Sequence, residues 1–123
     1  MKRWFFFMVT AVFLLLVLAA CSGPTLTYTV AGTAAEARIA YRDDNGDMVF
    51  DTVSLPWEKR ISISDPFSYE VNVERNDAQG NVSCAIALNG QEVGRVDGAT
   101  FAECRGKYQA GQVSLNGRFD QQE

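Results

Sequence analysis

The 123-residue chain contains no histidine. Histidine is the commonest general base and the commonest transition-metal ligand in proteins, so its absence removes both roles at once. The sequence also lacks the G-x-S-x-G and H-E-x-x-H motifs and a glycine-rich phosphate loop. No pattern in it brings two carboxylates together for glycoside chemistry. We therefore expect a protein that is not an enzyme and that uses no cofactor and no metal ion.

Positive charge is also scarce. The chain has 11 basic and 15 acidic side chains, and two of the basic ones stand at positions 2 and 3. If these two are removed with a signal peptide, 11 − 2 = 9 basic side chains remain and the formal charge is 9 − 15 = −6. Such a domain has no overall attraction for nucleic acid or for anionic lipid headgroups. We expect no nucleic-acid partner.

One long apolar run is present, and it lies at the amino terminus. Residues 4–20 carry no charge and follow a basic start, which is typical of a secretory signal peptide. The run ends in Leu18, Ala19, Ala20 and Cys21, which looks like a bacterial lipobox. We predict that residues 1–20 are cleaved and that Cys21 is acylated, so that lipid anchors the protein to the membrane on the extracytoplasmic side. The alternative is an uncleaved transmembrane anchor, although 17 residues are somewhat short for one.

Only three cysteines occur, an odd number for an exported chain. Acylation of Cys21 would leave Cys84 and Cys104 as one pair in an oxidising compartment. Closing a loop of about 20 residues contributes roughly 3 kcal/mol in the chain-entropy model. A redox-active dithiol normally uses a close C-x-x-C motif, which is missing here. We predict a structural disulfide between Cys84 and Cys104, within or between sheets.

No segment shows a helical pattern of any length. Apolar and polar residues alternate instead in seven or eight short runs separated by turn residues, which is typical of an antiparallel Ig-like or transthyretin-like β-sandwich. Asn45-Gly46 and Asn89-Gly90 stand between such runs and predict hairpins, because both residue types tolerate positive φ. The predicted inward-facing residues are Tyr28, Val30, Ala35, Ala37, Ile39, Tyr41, Trp57, Ile61, Ile63, Tyr69, Val71, Val73, Val82, Cys84, Ile86, Leu88, Ala102 and Cys104.

The chain divides into four predicted segments. Residues 1–20 form the signal peptide, 21–27 the lipidated terminus and a polar tether, and 28–109 the β-sandwich domain. Residues 110–123 form a tail that either adds a short hairpin around Asn116-Gly117 or frays.

Residues with oxygen-bearing side chains cluster at the first predicted hairpin and form a candidate calcium site: Asp43, Asp44, Asn45 and Asp47. Counted from Asp43, an EF-hand would need glycine at position 48 and a bidentate acid at position 54. These positions hold Met48 and Ser54. A solvated hairpin tip is therefore the better interpretation.

Aromatic side chains raise the question of a binding surface. The tryptophan and tyrosines named above fall on inward faces, which favours core packing. Phe50, Phe67 and Phe101 are assigned to neither face and could contribute to an apolar contact patch.

Five segments occur in the order found in MmpS-type proteins: YTVAG (28–32), ARIAYRDDNG (37–46), LPW (55–57), CAIALNG (84–90) and AEC (102–104). MmpS proteins are small envelope accessory proteins of actinobacterial MmpL transporters, which belong to the RND superfamily. The chain resembles this family over roughly residues 27–105. The motif positions are Tyr28, Gly32, Tyr41, Asn45, Gly46, Leu55, Pro56, Trp57, Asn89 and Gly90.

The resemblance implies a disulfide-linked β-sandwich outside the cytoplasmic membrane that assists the export of lipids or siderophore-like molecules through an RND/MmpL-type transporter. The lipobox is a departure, because MmpS proteins usually keep an uncleaved transmembrane helix. Two functions therefore remain open. The first is a lipid-anchored accessory protein of an export system. The second is a surface lipoprotein that binds a small apolar ligand or a protein without any transporter.

Overall fold

The computed structural model describes residues 23–120, so the predicted signal peptide, the lipobox residues and Cys21 lie outside the described residues. Within this part of the chain the regular structure is entirely β-strand, and no helix is long and apolar enough to cross a membrane. The predicted all-β fold is confirmed. Ten strands are described: β1 (Thr25–Ala31), β2 (Glu36–Arg42), β3 (Met48–Ser54), β4 (Trp57–Ser62), β5 (Phe67–Arg75), β6 (Val82–Leu88), β7 (Gln91–Gly98), β8 (Phe101–Gln109), β9 (Gln112–Val113) and β10 (Asn116–Phe119).

The strands form two antiparallel sheets. The four-stranded sheet has the order β4-β1-β6-β7. The six-stranded sheet has the order β10-β8-β5-β2-β3, with β9 paired to β8. Apolar side chains from both sheets meet in one core, as in a β-sandwich.

Alternation along the strands sets which side chains enter this core. In β5 every second residue from Phe67 to Val73 is buried, and the same holds for Leu26, Tyr28 and Val30 in β1. Strand β6 differs, because the five residues from Val82 to Ile86 are all buried. The inward face predicted from the sequence is confirmed with three exceptions. Ala35 precedes β2 and is exposed, while Trp57 and Leu88 lie at strand ends and are partly buried.

The two predicted hairpins differ in their turns. Asn89 and Gly90 both have positive φ, 51° and 85°, and form the predicted two-residue turn between β6 and β7. The first predicted hairpin also forms, between β2 and β3, but of its two turn residues only Gly46 has positive φ, at 84°. The Asp43 carboxylate closes that longer turn instead, because it accepts hydrogen bonds from the backbone N–H groups of Asn45 and Asp47 at 3.0 and 2.9 Å.

The first strand begins earlier than the sequence predicted. Strand β1 starts at Thr25, inside the segment assigned to the tether. The Asn89 turn holds this end, since the Thr25 N–H donates to Asn89 Oδ1 at 3.0 Å and the Asn89 N–H donates to the Thr25 carbonyl at 2.8 Å. The polar residues of this segment therefore pair with a neighbouring strand.

The carboxyl-terminal segment continues the six-stranded sheet. A turn at Ala110 and Gly111, both with positive φ, leads into β9, and β10 then pairs with β8. Asn116 and Gly117 lie inside β10 opposite Arg105 and Cys104, so they do not form the hairpin turn that their sequence suggested. Long-range pairing with β8 overrides the local turn preference.

Asp120 holds the end of this segment against the β7–β8 turn. Its Oδ1 accepts hydrogen bonds from the N–H groups of Thr100 and Phe101 at 2.8 and 2.9 Å, and its Oδ2 accepts one from the Thr100 hydroxyl. The Thr100 hydroxyl, followed by the Phe101 and Thr100 N–H groups, lowers the pKa of Asp120 to about 2. The ionised carboxylate is therefore the form that the fold favours.

We predict that replacing Asp120 with asparagine reduces the acid dependence of stability. Because the folded-state pKa lies below the ordinary value of 3.8, the stabilisation is complete above pH 4 and is lost as pH falls through 2. The measurement is the free energy of unfolding in urea from pH 2 to pH 6. The increase with pH should be smaller in Asp120→Asn than in the parent protein, and equal slopes would contradict the assignment.

Candidate functional site

The disulfide crosses the sandwich. Cys84 lies in β6 of the four-stranded sheet and Cys104 lies in β8 of the six-stranded sheet. Their Cα atoms are 6.2 Å apart and both side chains are fully buried. The predicted Cys84–Cys104 disulfide is confirmed, and it joins the two sheets.

Three aromatic residues of the quoted motifs pack in a row between the sheets. The ring centroids of Tyr28 and Tyr41 are 5.8 Å apart, and those of Tyr41 and Trp57 are 5.2 Å apart. Tyr28 and Trp57 belong to the four-stranded sheet and Tyr41 to the other, so the rings interdigitate across the core. Tilted pairs at this spacing add roughly 0.5–1.5 kcal/mol each beyond the burial of their surfaces.

The Tyr28 hydroxyl crosses the core and inserts into the opposite sheet. It donates to the Arg42 carbonyl at 2.8 Å and accepts from the Glu70 N–H at 3.4 Å. The β2–β5 register ends at Tyr41 and Val71, so Arg42 and Glu70 would form the next backbone pair. The hydroxyl bridges the Arg42 carbonyl and the Glu70 N–H, which would otherwise hydrogen-bond directly to each other. Burial, the largest influence, raises the pKa of Tyr28 well above its usual value, so the hydroxyl keeps its proton.

We predict that Tyr28→Phe costs about 1–3 kcal/mol in the free energy of unfolding, because it leaves two part-buried backbone groups without their hydrogen-bond partner while keeping the ring. Tyr41→Phe is the matched control, since the Tyr41 hydroxyl makes no hydrogen bond within residues 23–120; it should change stability by less than about 0.5 kcal/mol. The measurement is denaturant unfolding of the two variants side by side. Equal effects at both positions would contradict a bridging role for the Tyr28 hydroxyl.

Charged side chains of alternate sign cover the outer surface of the six-stranded sheet. We call this surface the charged face and define it by Arg42, Glu70, Glu103, Arg105 and Arg118. Glu70 lies 3.7 Å from Arg42 and 3.9 Å from Arg105, measured between carboxylate oxygen and guanidinium nitrogen. Glu103 lies 3.8 Å from both Arg105 and Arg118, and is only 8% exposed. These residues come from four strands that are neighbours in the sheet, namely β2, β5, β8 and β10.

A depression of about 330 Å³ lies at one end of the charged face. The polar side chains that line it belong to Arg42, Ser68, Glu70, Arg105, Lys107 and Asn116. Three of them are cationic and one is anionic. The depression therefore carries a local surplus of positive charge in a chain that is acidic overall.

Tyr69, Gly106 and Ser114 form another part of the wall of this depression. The Tyr69 hydroxyl donates to the Ser114 carbonyl, and burial raises the pKa of Tyr69 to about 12. The Ser114 hydroxyl accepts from the Lys107 N–H at 3.1 Å. A Cβ atom at Gly106 would overlap the Ser114 carbonyl, so a side chain at this position would push the β9–β10 connection away from β8.

The remaining predicted motif residues are spread over the fold. Gly32 lies just after β1, and Leu55 and Pro56 connect β3 to β4, where Leu55 packs against the core and Pro56 is exposed. The three phenylalanines do not form one patch. Phe50 is 76% exposed on β3, Phe101 is partly buried, and Phe67 is buried in the core.

The sequence pattern alone does not single out the residues of the charged face. Arg42, Glu70 and Arg118 each lie on a different strand, and Glu103 and Arg105 lie on β8. Their proximity depends on the order β10-β8-β5-β2, which joins strands that are distant in sequence. Residues on one face could be inferred from alternation, but the strand order could not.

Searches of protein-family models and of curated proteins find no match to this chain. What the fold and its surfaces define is a disulfide-linked β-sandwich with a depression on the outer surface of its six-stranded sheet.

Proposed function

We propose that this chain is a lipid-anchored extracytoplasmic accessory protein of an envelope export system, with an RND/MmpL-type transporter as its partner. The observation that carries the proposal is the ordered set of MmpS-like motifs, from YTVAG to AEC. Their aromatic residues pack together as Tyr28, Tyr41 and Trp57, and their cysteines join the two sheets. The motifs thus correspond to one packed core, which supports a shared domain type. The proposed role is that of a non-catalytic adaptor.

The position of Cys21 supports attachment close to the bilayer. Four Cα–Cα steps separate Cys21 from Thr25, the first residue of β1. A fully extended chain spans at most about 3.6 Å per residue, so the anchor and the sandwich lie within about 14 Å of each other. Such a short tether would hold the domain beside the extracytoplasmic parts of a membrane-embedded transporter.

Replacing Cys21 with serine tests the anchor. We expect the protein to leave the membrane fraction or to remain as an unprocessed precursor, because serine offers no thiol for acylation. Ser22→Ala is the matched control and should stay membrane-bound and fully processed. A Cys21→Ser protein that is still processed to the same size and still sediments with membranes would refute lipidation.

Co-purification from gently solubilised membranes tests the partner. The proposal predicts that the parent protein retains a multi-span RND-type transporter and that Cys21→Ser retains less of it, because the anchor raises the local concentration of the domain. Recovery of the sandwich alone in repeated preparations would contradict the transporter role and favour a surface lipoprotein that binds its ligand unaided.

A further inference from the structure

We propose that the depression on the charged face binds a phosphate group, either free or carried by a small molecule or a lipid headgroup. This site is separate from the proposed anchor at Cys21 and does not depend on it. Three cationic side chains surround the depression, their carboxylate partners lie beyond hydrogen-bond distance, and neutral donors lie beside them.

The cationic side chains come from two directions. Arg42 reaches the depression from β2, and Arg105 and Lys107 reach it from β8, with β5 between them. Together they carry three positive charges. Glu70 lies among them, and Glu103 lies 3.8 Å from Arg105 but is shared with Arg118 at the same distance. Arginine and lysine are the side chains that proteins use most for phosphate, because they offer several charged donors to its oxygens.

The guanidinium groups are not saturated by Glu70. Charge-assisted hydrogen bonds normally measure about 2.7–2.9 Å. Glu70 lies 3.7 Å from Arg42 and 3.9 Å from Arg105, and Glu103 lies 3.8 Å from Arg105; all three are ion pairs without a hydrogen bond. Within residues 23–120 the side chains of Arg105 and Lys107 donate no hydrogen bond, so their donors remain open to an incoming anion.

Arg42 is held in place while keeping donors free. Its Nη1 donates to the Gly46 carbonyl at 2.7 Å, which fixes the side chain beside the first hairpin. Its Nε is buried and has no hydrogen-bond partner within the described residues. The Tyr28 hydroxyl holds the Arg42 carbonyl from the other side of the sheet. A preorganised cation binds an anion with less loss of side-chain entropy than a mobile one.

Neutral donors complete the site. The Ser68 hydroxyl and the Asn116 amide line the same depression, and both side chains can donate to a phosphate oxygen. The volume of about 330 Å³ is at the lower end of the range for small-molecule sites, and is sufficient for a phosphate with a small substituent. The site therefore recognises the phosphate itself more than the rest of the ligand.

The test is an NMR titration of the full mature protein in neutral detergent micelles, with two probes in separate arms. The first probe is inorganic phosphate, and the second is phosphatidylglycerol added to the micelles. We expect saturable shifts at Ser68, Arg105 and Lys107. Shifts with inorganic phosphate identify a free phosphate ligand, whereas shifts with the lipid alone identify a headgroup.

Two matched double variants identify the site. Arg105→Gln/Lys107→Gln should weaken binding about tenfold or more, because two charged donors are lost. Lys59→Gln/Arg60→Gln removes the same charge from the exposed strand β4 of the other sheet and should leave the affinity unchanged. Equal weakening in both variants, or no saturable shift with either probe, would overturn the proposal.

Glu70→Gln distinguishes a binding site from a purely structural row of charges. Removing the single anion between Arg42 and Arg105 should tighten phosphate binding about threefold or more, because a repulsive charge next to the ligand disappears. If the row of charges only stabilised the sheet, Glu70→Gln would lower stability and leave the affinity for phosphate unchanged.

Discussion

Replacing both Cys84 and Cys104 with alanine is expected to lower the free energy of unfolding by about 3 kcal/mol. The disulfide closes a separation of 20 residues and joins β6 to β8 across the core. Without it the unfolded chain gains conformational freedom and the two sheets lose their covalent link. For a domain of this size the midpoint of thermal unfolding should fall by roughly 10–20 °C. Denaturant and thermal unfolding of the double variant measure both quantities.

The reduced parent protein is the control for this variant. Because both forms lack the bond, their free energies of unfolding should agree within about 1 kcal/mol. Thiol reagents provide an independent measurement, since Cys84 and Cys104 should be unreactive in the native, oxidised protein. A double variant as stable as the oxidised parent, or ready labelling of both cysteines without reductant, would contradict a structural role for the bond.

Replacing Gly32 with alanine is expected to cost about 3 kcal/mol or more. Gly32 has a φ of +131°, which a residue with a Cβ atom adopts only with strain of about 1–3 kcal/mol. The added Cβ would also overlap the carbonyl group of Asn81, which is backbone and cannot rotate away. Displacing that segment adds about 1–3 kcal/mol more. Urea unfolding of the variant gives the total.

Gly90→Ala is the matched control, because it separates the cost of positive φ from the cost of the overlap with Asn81. Gly90 also has positive φ, at 85°, but a Cβ atom there would have nothing within 4 Å. This variant therefore has the backbone strain without the overlap, and should cost only about 1–2 kcal/mol. If both alanine variants were equally destabilised, the close approach of Asn81 to Gly32 would not contribute.

The interaction at Gly32 also involves polar partners that the sequence did not reveal. The Thr33 N–H donates to Asn81 Oδ1 at 2.8 Å, and the Asn81 N–H donates to the Thr33 hydroxyl at 2.9 Å. These hydrogen bonds join the end of β1 to the start of β6 across 48 residues. They hold the backbone of Asn81 so close to Gly32 that no side chain larger than that of glycine fits at position 32.

The sequence predicted the sandwich well where local patterns decide the structure. Alternation in β5 and β6 identified core residues such as Tyr69 and Cys84, and Asn89-Gly90 formed the expected turn. Both results depend on periodicity and on local backbone preference, which a single sequence contains. The pairing of the cysteines followed from their number, but their position on opposite sheets did not.

The tail and the charged face were not predicted, because long-range register decides both. Asn116-Gly117 has the local preference of a turn, yet it pairs as a strand with Arg105 and Cys104. Arg42 and Arg105 lie 63 positions apart and meet around Glu70 only because β5 separates β2 from β8. No local pattern contains the order of strands in a sheet.

The most direct test is the intact mass of the native protein extracted from membranes, because we propose that acylated Cys21 holds this sandwich at the cell envelope. We expect a chain that begins at Cys21, bears covalently attached acyl groups at that residue and keeps Cys84 and Cys104 oxidised. A chain that still begins at Met1 and carries an unmodified Cys21 would contradict it.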